Sequence, residues 1–298
     1  MSFEKLLFVA GTHGNEINPV VAIKKFQNLS LINNITCNSK FVFGNPKAIK
    51  KGVRYIDYDL NRAFNNKLEK TLYEINRAKY LVDNFGPNGN NPCRIAIDLH
   101  TTTANMGTSI VIYGRRETDF YLASILQSKF GLPIYLHEKD HSQTGFLVEA
   151  WPCGLVIEIG SVAQNFYDPL MIERFVELIK FIDNILPLIK NKEINSQNSM
   201  TVYVHQKSID YPKDEDGNVN AYIHPARLKK DWARISEGSP LFMDFFGNEI
   251  LYEFREEVYP VFIGEASYKE KNIAMSFTKK QVINYSEVWR NNFLENIV

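Results

Sequence analysis

His13 and Glu16, in Gly11-Thr-His-Gly-Asn-Glu16, are a nitrogen and an oxygen donor placed just past a short apolar run. In an open α/β sheet, ligands bind outside the carboxyl ends of the strands. Gly11 and Gly14 permit a turn tight enough to aim both donors at one ion; the alternative is that the pair only caps the helix that follows. His100 ends a second apolar run, Ala96-Ile-Asp-Leu-His100. A histidine delivered there from a neighbouring strand would complete a His-Glu-His set, and three protein donors with a fourth position left for water is the pattern of catalytic zinc. Taken alone, His100 is an ordinary strand-edge histidine. Asp98 shares its face of an extended strand and could orient a ligand. Glu158 stands inside Gly154-Leu-Val-Ile-Glu-Ile-Gly160. A carboxylate in an apolar strand is costly unless it is paired or used, and burial that raises its pKa suits a general base or acid; a buried ion pair is the alternative. Arg54, Asn61 and Arg62 crowd one loop that has neither a helix nor a strand pattern. Arginine forks suit carboxylates and developing oxyanions, although such a loop can also be a merely solvated charged segment.

His137-Glu-Lys-Asp-His141 spells H-E-x-x-H. That spacing makes a zinc site only on a helix, where the two imidazoles share a face. Strand-like Leu132-Pro-Ile-Tyr-Leu136 precedes it and Gly145 follows, so a loop is expected and no metal site.

The elements that must carry these residues alternate. Strand patterns cover 5–10, 41–43, 94–99, 108–114 and 155–159. Helical patterns follow the first turn to about residue 29 and cover 69–85, 118–130 and 168–189. The alternation argues for an α/β sheet packed by helices. Past Asn191 the texture turns polar, then gives short strand-like runs separated by turns. The expected division is a catalytic unit over 1–195 and a β-rich unit over 196–298. Asp214-Glu-Asp-Gly217 has its glycine in the wrong place for a calcium loop and is expected to be a hairpin turn.

With 34 acidic and 34 basic residues among 298, the formal net charge is zero, which argues against nucleic-acid binding. No apolar run reaches the roughly 18 residues of a membrane helix. The N-terminus passes directly into the first strand, unlike a signal peptide. Three widely spaced cysteines, Cys37, Cys93 and Cys153, suggest reduced thiols and a cytoplasmic protein.

In combination, Gly-Thr-His-Gly-Asn-Glu16, Asp-Leu-Asn-Arg-Ala-Phe64, Asp-Leu-His-Thr-Thr-Thr-Ala-Asn-Met-Gly107 and Ile-Glu-Ile-Gly160, in this order, resemble the aspartoacylase branch of the succinylglutamate desuccinylase/aspartoacylase family. The resemblance continues through Asp210-Tyr-Pro, Ile223-His-Pro225 and Val258-Tyr-Pro-Val-Phe262 to Glu265-Ala-Ser-Tyr268, nearly the whole chain. It implies a zinc-carboxypeptidase-like α/β fold, a mixed sheet flanked by helices, with a smaller β-rich C-terminal domain closing over the site. It implies one zinc ion on His13, Glu16 and His100. It implies that Glu158 takes a proton from the attacking water and returns one to the leaving amine. Arg54 would polarise the amide carbonyl, Asn61 and Arg62 would hold the α-carboxylate, and Tyr268 would close on the substrate. The implied reaction is hydrolysis of an N-acyl-L-amino acid, with N-acetyl-L-aspartate as the first-named substrate. Oligomeric state is left open.

Two departures bear on the side chain. Members specific for N-acetylaspartate carry a Tyr and an Arg before the Glu-bearing strand, whereas this chain has no Arg between 137 and 150. Thr101 follows His100 where relatives carry Asn. Lys139 and His141, in a mobile loop at the pocket mouth, could attract an acidic group in place of the missing Arg; aromatic or other N-acyl amino acids are the alternative. A zinc carboxypeptidase would share the metal and clamp but need an open peptide groove. A non-catalytic binding protein would not need ligands, base and clamp together.

Overall fold

Leu6-Leu-Phe-Val-Ala10 is apolar at every position, as a strand covered on both faces must be, and it forms β1 (Leu6–Ala10), wholly buried. The computed structural model describes residues 6–32, 39–65, 71–138, 143–194 and 197–298. In chain order the elements after β1 are α1 (Ile17–Ile32), β2 (Ser39–Phe43), α2 (Pro46–Lys51), α3 (Tyr73–Phe85), β3 (Ile95–Thr101), β4 (Gly107–Tyr113), α4 (Glu117–Phe130), β5 (Ile134–His137) and β6 (Cys153–Gly160). Then come α5 (Pro169–Asp183), α6 (Ile185–Lys190), β7 (Ser199–Asp210), β8 (Ala221–Ile223), β9 (Pro240–Asp244), β10 (Glu249–Leu251), β11 (Tyr259–Val261), β12 (Ile273–Asn284) and α7 (Glu287–Asn296).

Nine strands make one mixed sheet in the order β11-β12-β7-β5-β4-β6-β3-β1-β2, and β10-β9-β8 make a second, antiparallel sheet. Within the large sheet β2, β1, β3 and β6 run parallel, and β4 runs antiparallel to β6. The alternation of side chains along each strand divides the core in two. Leu6, Phe8, Ile97, Leu155 and Ile157 face one side with residues of α1, α4, α5 and α7. Leu7, Val9, Ala96, Val111 and Val156 face the other with Leu60, Leu81, Trp151 and Phe262. The site lies on this second face. The architecture is thus a mixed α/β sheet flanked by helices with a smaller β-rich C-terminal part.

One expectation changes, and two features had not been expected. The long helix expected over 168–189 is two helices, broken at Asn184. Pro187 lacks an N–H, and its ring would collide with the carbonyl of Asp183 in a continuous helix. The β-rich unit is not a sheet of its own throughout: β7 pairs with β5 and carries β12 and β11 with it, extending the large sheet. The chain also ends in a helix, α7, whose Trp289 and Phe293 enter the first core cluster beside α4. The turn at Asp214 is as expected, its Oδ1 accepting the N–H groups of Asp216 and Asn218. Cys37 lies outside the described residues; Cys93 and Cys153 are buried.

Candidate active site

β1 and β3 are parallel neighbours, so their carboxyl ends release the Gly11–Glu16 turn and His100 side by side. Gly14 is packed so closely on α2 that a Cβ would sit 2.1 Å from the Ala48 carbonyl carbon. Its N–H donates to the Arg54 carbonyl at 3.1 Å, which ties the turn to the arginine loop. His13, Glu16 and His100 are all buried. The two oxygens of Glu16 each face one imidazole: His13 Nδ1 is 2.7 Å from Oε1, and His100 Nδ1 is 2.9 Å from Oε2. One donor atom from each residue lies within 4.8 Å of the other two.

The outer nitrogens of both rings meet carboxylates. His100 Nε2 is 2.8 Å from Asp98 Oδ2, and Thr12 donates to the other oxygen of Asp98 at 2.7 Å. His13 Nε2 is 3.1 Å from Asp59 Oδ1. An Nε2–H donated outward leaves each Nδ1 lone pair facing inward, which is how metal-binding histidines are held. The charges agree with a cation at the centre. Burial would raise the Glu16 carboxyl, but the two imidazoles beside it outweigh burial and hold it well below the usual range. Burial opposes a charged His100, yet Asp98 and Glu16 push its pKa well above the ordinary value. This anionic ring therefore gathers positive charge, and a bound metal takes the place of such protons. The His-Glu-His set fits a divalent ion with nitrogen and oxygen ligands.

β6 places Glu158 beside His100 in the parallel register. Burial pushes the Glu158 carboxyl up to about 8, with Glu16, Glu265 and Asp98 adding to it and His100 opposing. Its Oε2 is shielded from solvent and has no hydrogen-bond partner among the described residues. An orphaned buried oxygen aimed at a pocket marks a group that waits for a proton or a donor.

A short 3-10 turn, Leu60–Arg62, presents Asn61 and Arg62, with Asp59 as its N-cap. Asp59 joins three parts of the site: it holds His13, accepts from Arg54 Nη2 at 3.1 Å, and accepts the Asn61 N–H at 2.9 Å. Burial acts against its charge, but His13, Arg54 and Arg62 hold its carboxyl well below the usual range. Asn61 Oδ1 accepts the Leu147 N–H at 2.8 Å. The Arg62 guanidinium lies 4.1 Å from the Phe146 ring centroid and donates to Gln143 Oε1 at 3.1 Å. The arginine loop is itself held from α3. The Glu74 carboxylate, fully buried, accepts the N–H groups of Ile56, Asp57 and Tyr58 and the Asn45 amide.

From the C-terminal part, Glu265 reaches across to the end of β3. It accepts from the hydroxyls of Thr102 and Thr103 and from the Thr103 and Ala104 N–H groups. The turn it begins carries Tyr268, whose phenol is pushed up by burial and by Glu265 and stays a neutral donor.

One pocket is walled by the eight residues to which the resemblance gives roles, His13, Glu16, Arg54, Asn61, Arg62, His100, Glu158 and Tyr268; Asp98 stands behind it, against His100. The H-E-x-x-H stretch begins in a strand, since His137 closes β5, and His137 is buried on the same pocket wall. Lys139 and His141 lie outside the described residues. The sequence reading passed over Asp59, Glu74 and Glu265. Asp59 and Glu265 stand inside the quoted motifs, so a signal was present; Glu74 looks like one more polar position of an amphipathic helix.

The sequence and fold have counterparts among known proteins. Residues 2–189 match the model of the succinylglutamate desuccinylase/aspartoacylase catalytic domain, and residues 198–280 match that of the AstE/AspA barrel-sandwich hybrid domain. A probable aspartoacylase of Prochlorococcus marinus subsp. pastoris is 58% identical over 287 residues, covering 96% of this chain and 97% of the relative. Another, from Prochlorococcus marinus strain MIT 9515, is 59% identical over 287 residues, covering 95% and 96%. Murine aminoacylase 3 superposes with a TM-score of 0.81 at 28% identity, covering 94% of this chain and 96% of its own. Site, fold and sequence agree that this chain belongs to the succinylglutamate desuccinylase/aspartoacylase family.

Proposed function

We propose that the protein is a zinc-dependent amidohydrolase that converts an N-acyl-L-amino acid and water to the free L-amino acid and a carboxylate. The observation that carries this reading is the meeting, in one pocket, of a His-Glu-His set, an unpartnered carboxyl oxygen on Glu158 and two guanidinium groups. A zinc ion on His13, Glu16 and His100 would supply an activated water near neutral pH and draw charge from the amide carbonyl. Glu158 takes the proton of the attacking water on its free oxygen, and its high proton affinity suits it to hand that proton to the leaving nitrogen. Arg54, held by Asp59 and Glu16, faces the carbonyl oxygen as charge develops there. Arg62 and Asn61 hold the α-carboxylate and so fix the amide for attack. The Tyr268 phenol donates to the substrate from the C-terminal side, and residues 196–298 act as a domain that closes the pocket.

The side chain accepted is a separate matter. The name of the Prochlorococcus relatives makes N-acetyl-L-aspartate the first substrate to test. The burial of Cys93 and Cys153 supports reading this as an enzyme of a reducing compartment, the cytoplasm. Among the described residues no helix is long and apolar enough to cross a membrane. The test is hydrolysis of a panel of N-acyl amino acids and short peptides, with metal analysis of the same sample. His13→Ala should lose the metal and the activity together. Protein without zinc, or full activity in Glu158→Ala, would overturn the mechanism.

A further inference from the structure

Glu158 stands in a row of three side chains that crosses the sheet. β6 lies between β3 and β4. In the parallel pair with β3, Glu158 is level with His100, and in the antiparallel pair with β4 it is level with Ser109. Val156 and Val111 face each other in that same antiparallel pair, and both enter the core cluster on the pocket side of the sheet. Side chains alternate along a strand, so Ser109, Glu158 and His100 point to this side too. Directly opposed residues of an antiparallel pair have Cβ atoms roughly 4.5–5.5 Å apart, which brings a serine hydroxyl within reach of a glutamate carboxyl. His100 therefore flanks Glu158 on one side and Ser109 on the other. Ser109 is wholly buried and is not part of the pocket wall.

Two oxygens in this row are left over. Ser109 Oγ and Glu158 Oε2 are both shielded from solvent, and neither has a hydrogen-bond partner among the described residues. The neighbouring carboxyl groups are already supplied. Glu16 faces both imidazoles and accepts the Thr101 N–H at 3.0 Å. Asp98 accepts from Thr12 and faces His100 Nε2. Glu265 accepts from Thr102, from Thr103 and from the Ser267 N–H. A buried hydroxyl and a buried carboxyl oxygen are each costly without a partner. Turning the Ser109 hydroxyl and the Glu158 carboxyl towards each other satisfies both. A hydroxyl is donor and acceptor in one group, so it can donate to the carboxylate and accept from the protonated acid.

Resting on the amidohydrolase reading above, we infer that Ser109 is a positioning residue of the reaction, whose hydroxyl donates to the Glu158 carboxylate from the β4 side and fixes the plane of that group. A carboxylate has about four acceptor positions, so one can hold the Ser109 hydrogen bond while another takes the proton of the attacking water. Once that proton has passed to the leaving nitrogen, the hydroxyl turns from acceptor back to donor, and the carboxyl keeps its orientation through both transfers. Ser109 touches neither the proposed metal ligands' donor atoms nor the pocket, so its loss should act on the chemical step and leave substrate binding alone.

The experiment measures kcat, KM and zinc content of Ser109→Ala and Ser109→Cys with an N-acetyl amino acid that the unmodified protein hydrolyses. The thiol keeps the buried volume filled but is a weak donor. In each variant kcat should fall about tenfold to a hundredfold, the scale of a hydrogen bond to a charged group, with KM within about twofold and zinc retained. A hydroxyl that is merely orphaned gives another result: its removal raises Tm and leaves kcat unchanged, which overturns the inference. So does a fall in activity that follows loss of zinc or a rise in KM. Infrared spectra read the hydrogen bond without any substrate. The band of the Glu158 carboxyl, identified by its loss in Glu158→Gln, should shift in Ser109→Ala, and an unmoved band overturns the inference whether or not an amide is hydrolysed. A shifted band in a protein that hydrolyses no amide would end the amidohydrolase reading and bear out the hydrogen bond.

Discussion

Glu74 touches neither the proposed metal site nor the substrate pocket, yet it should govern activity. Its carboxylate accepts from Asn45 Nδ2 at 2.9 Å and from the N–H groups of Ile56, Asp57 and Tyr58 at 2.7, 3.1 and 3.1 Å. In return Asp57 accepts the N–H of Tyr73, the first residue of α3, at 2.9 Å. The loop so gripped has Arg54 just before it and Asp59 just after it. Glu74→Gln keeps the shape but turns one oxygen into an NH2 group that faces N–H donors. Two charge-assisted bonds are lost and buried donors are left unsatisfied, at a cost of about 2–5 kcal/mol. For a chain of this size that lowers Tm by roughly 3–8 °C. Glu74→Ala would add a cavity, which makes Gln the usable variant. Once the grip is loosened, Arg54 and Asp59 lose their fixed placement, and a shift of about 1 Å in such groups costs on the order of a hundredfold in rate. The assay is kcat/KM for an N-acetyl amino acid, per folded molecule, with zinc content measured on the same sample. Zinc should be retained, because its donors hang from β1 and β3. Activity within threefold of the original at an unchanged Tm would refute the reasoning.

Arg62→Ala should raise KM for N-acetyl amino acids far more than it lowers kcat, and it should do little to the corresponding methyl esters; an unchanged KM would remove Arg62 from the clamp. Asp98→Asn should weaken zinc binding about 10–100-fold, read by chelator competition, because His100 loses the partner that fixes its ring. Glu158 gives a pH signature in the metal-free protein. Its carboxyl titrates near 8 when folded against a reference of 4.5. Between those values the native state keeps a proton that the unfolded chain releases, so stability is full below pH 4.5 and is lost as pH rises through 8. Thermal melts in chelator should show that decline, and Glu158→Gln should flatten it; an equal slope in both proteins would exclude Glu158 as the source.

The sequence by itself determined most of the alternating strands and helices up to about residue 190 and the residue types of the site. Strands buried on both faces must be apolar throughout, so β1 and β6 stand out, and Glu158 stands out inside β6. Turn chemistry marked Gly11 and Gly14, and the motifs brought His13, Glu16, His100, Arg54, Asn61, Arg62 and Tyr268 to attention. All of these are local signals. Only the tertiary structure decided what depends on contacts between distant segments. It joined β7, β12 and β11 to the central sheet through β5, and it returned α7 to the first core. It made Glu74 the anchor of a loop about 17 residues before it, a role that helical periodicity cannot express because that loop has no period. It also moved the interest of His137-Glu-Lys-Asp-His141 to its first residue. Strand pairing with β4 and β7 buries His137 beside Tyr113 and Phe146, whereas the H-E-x-x-H spacing would have required a helix. Spacing along a chain fixes which side chains share a local face; which faces meet is settled by the packing of the sheet.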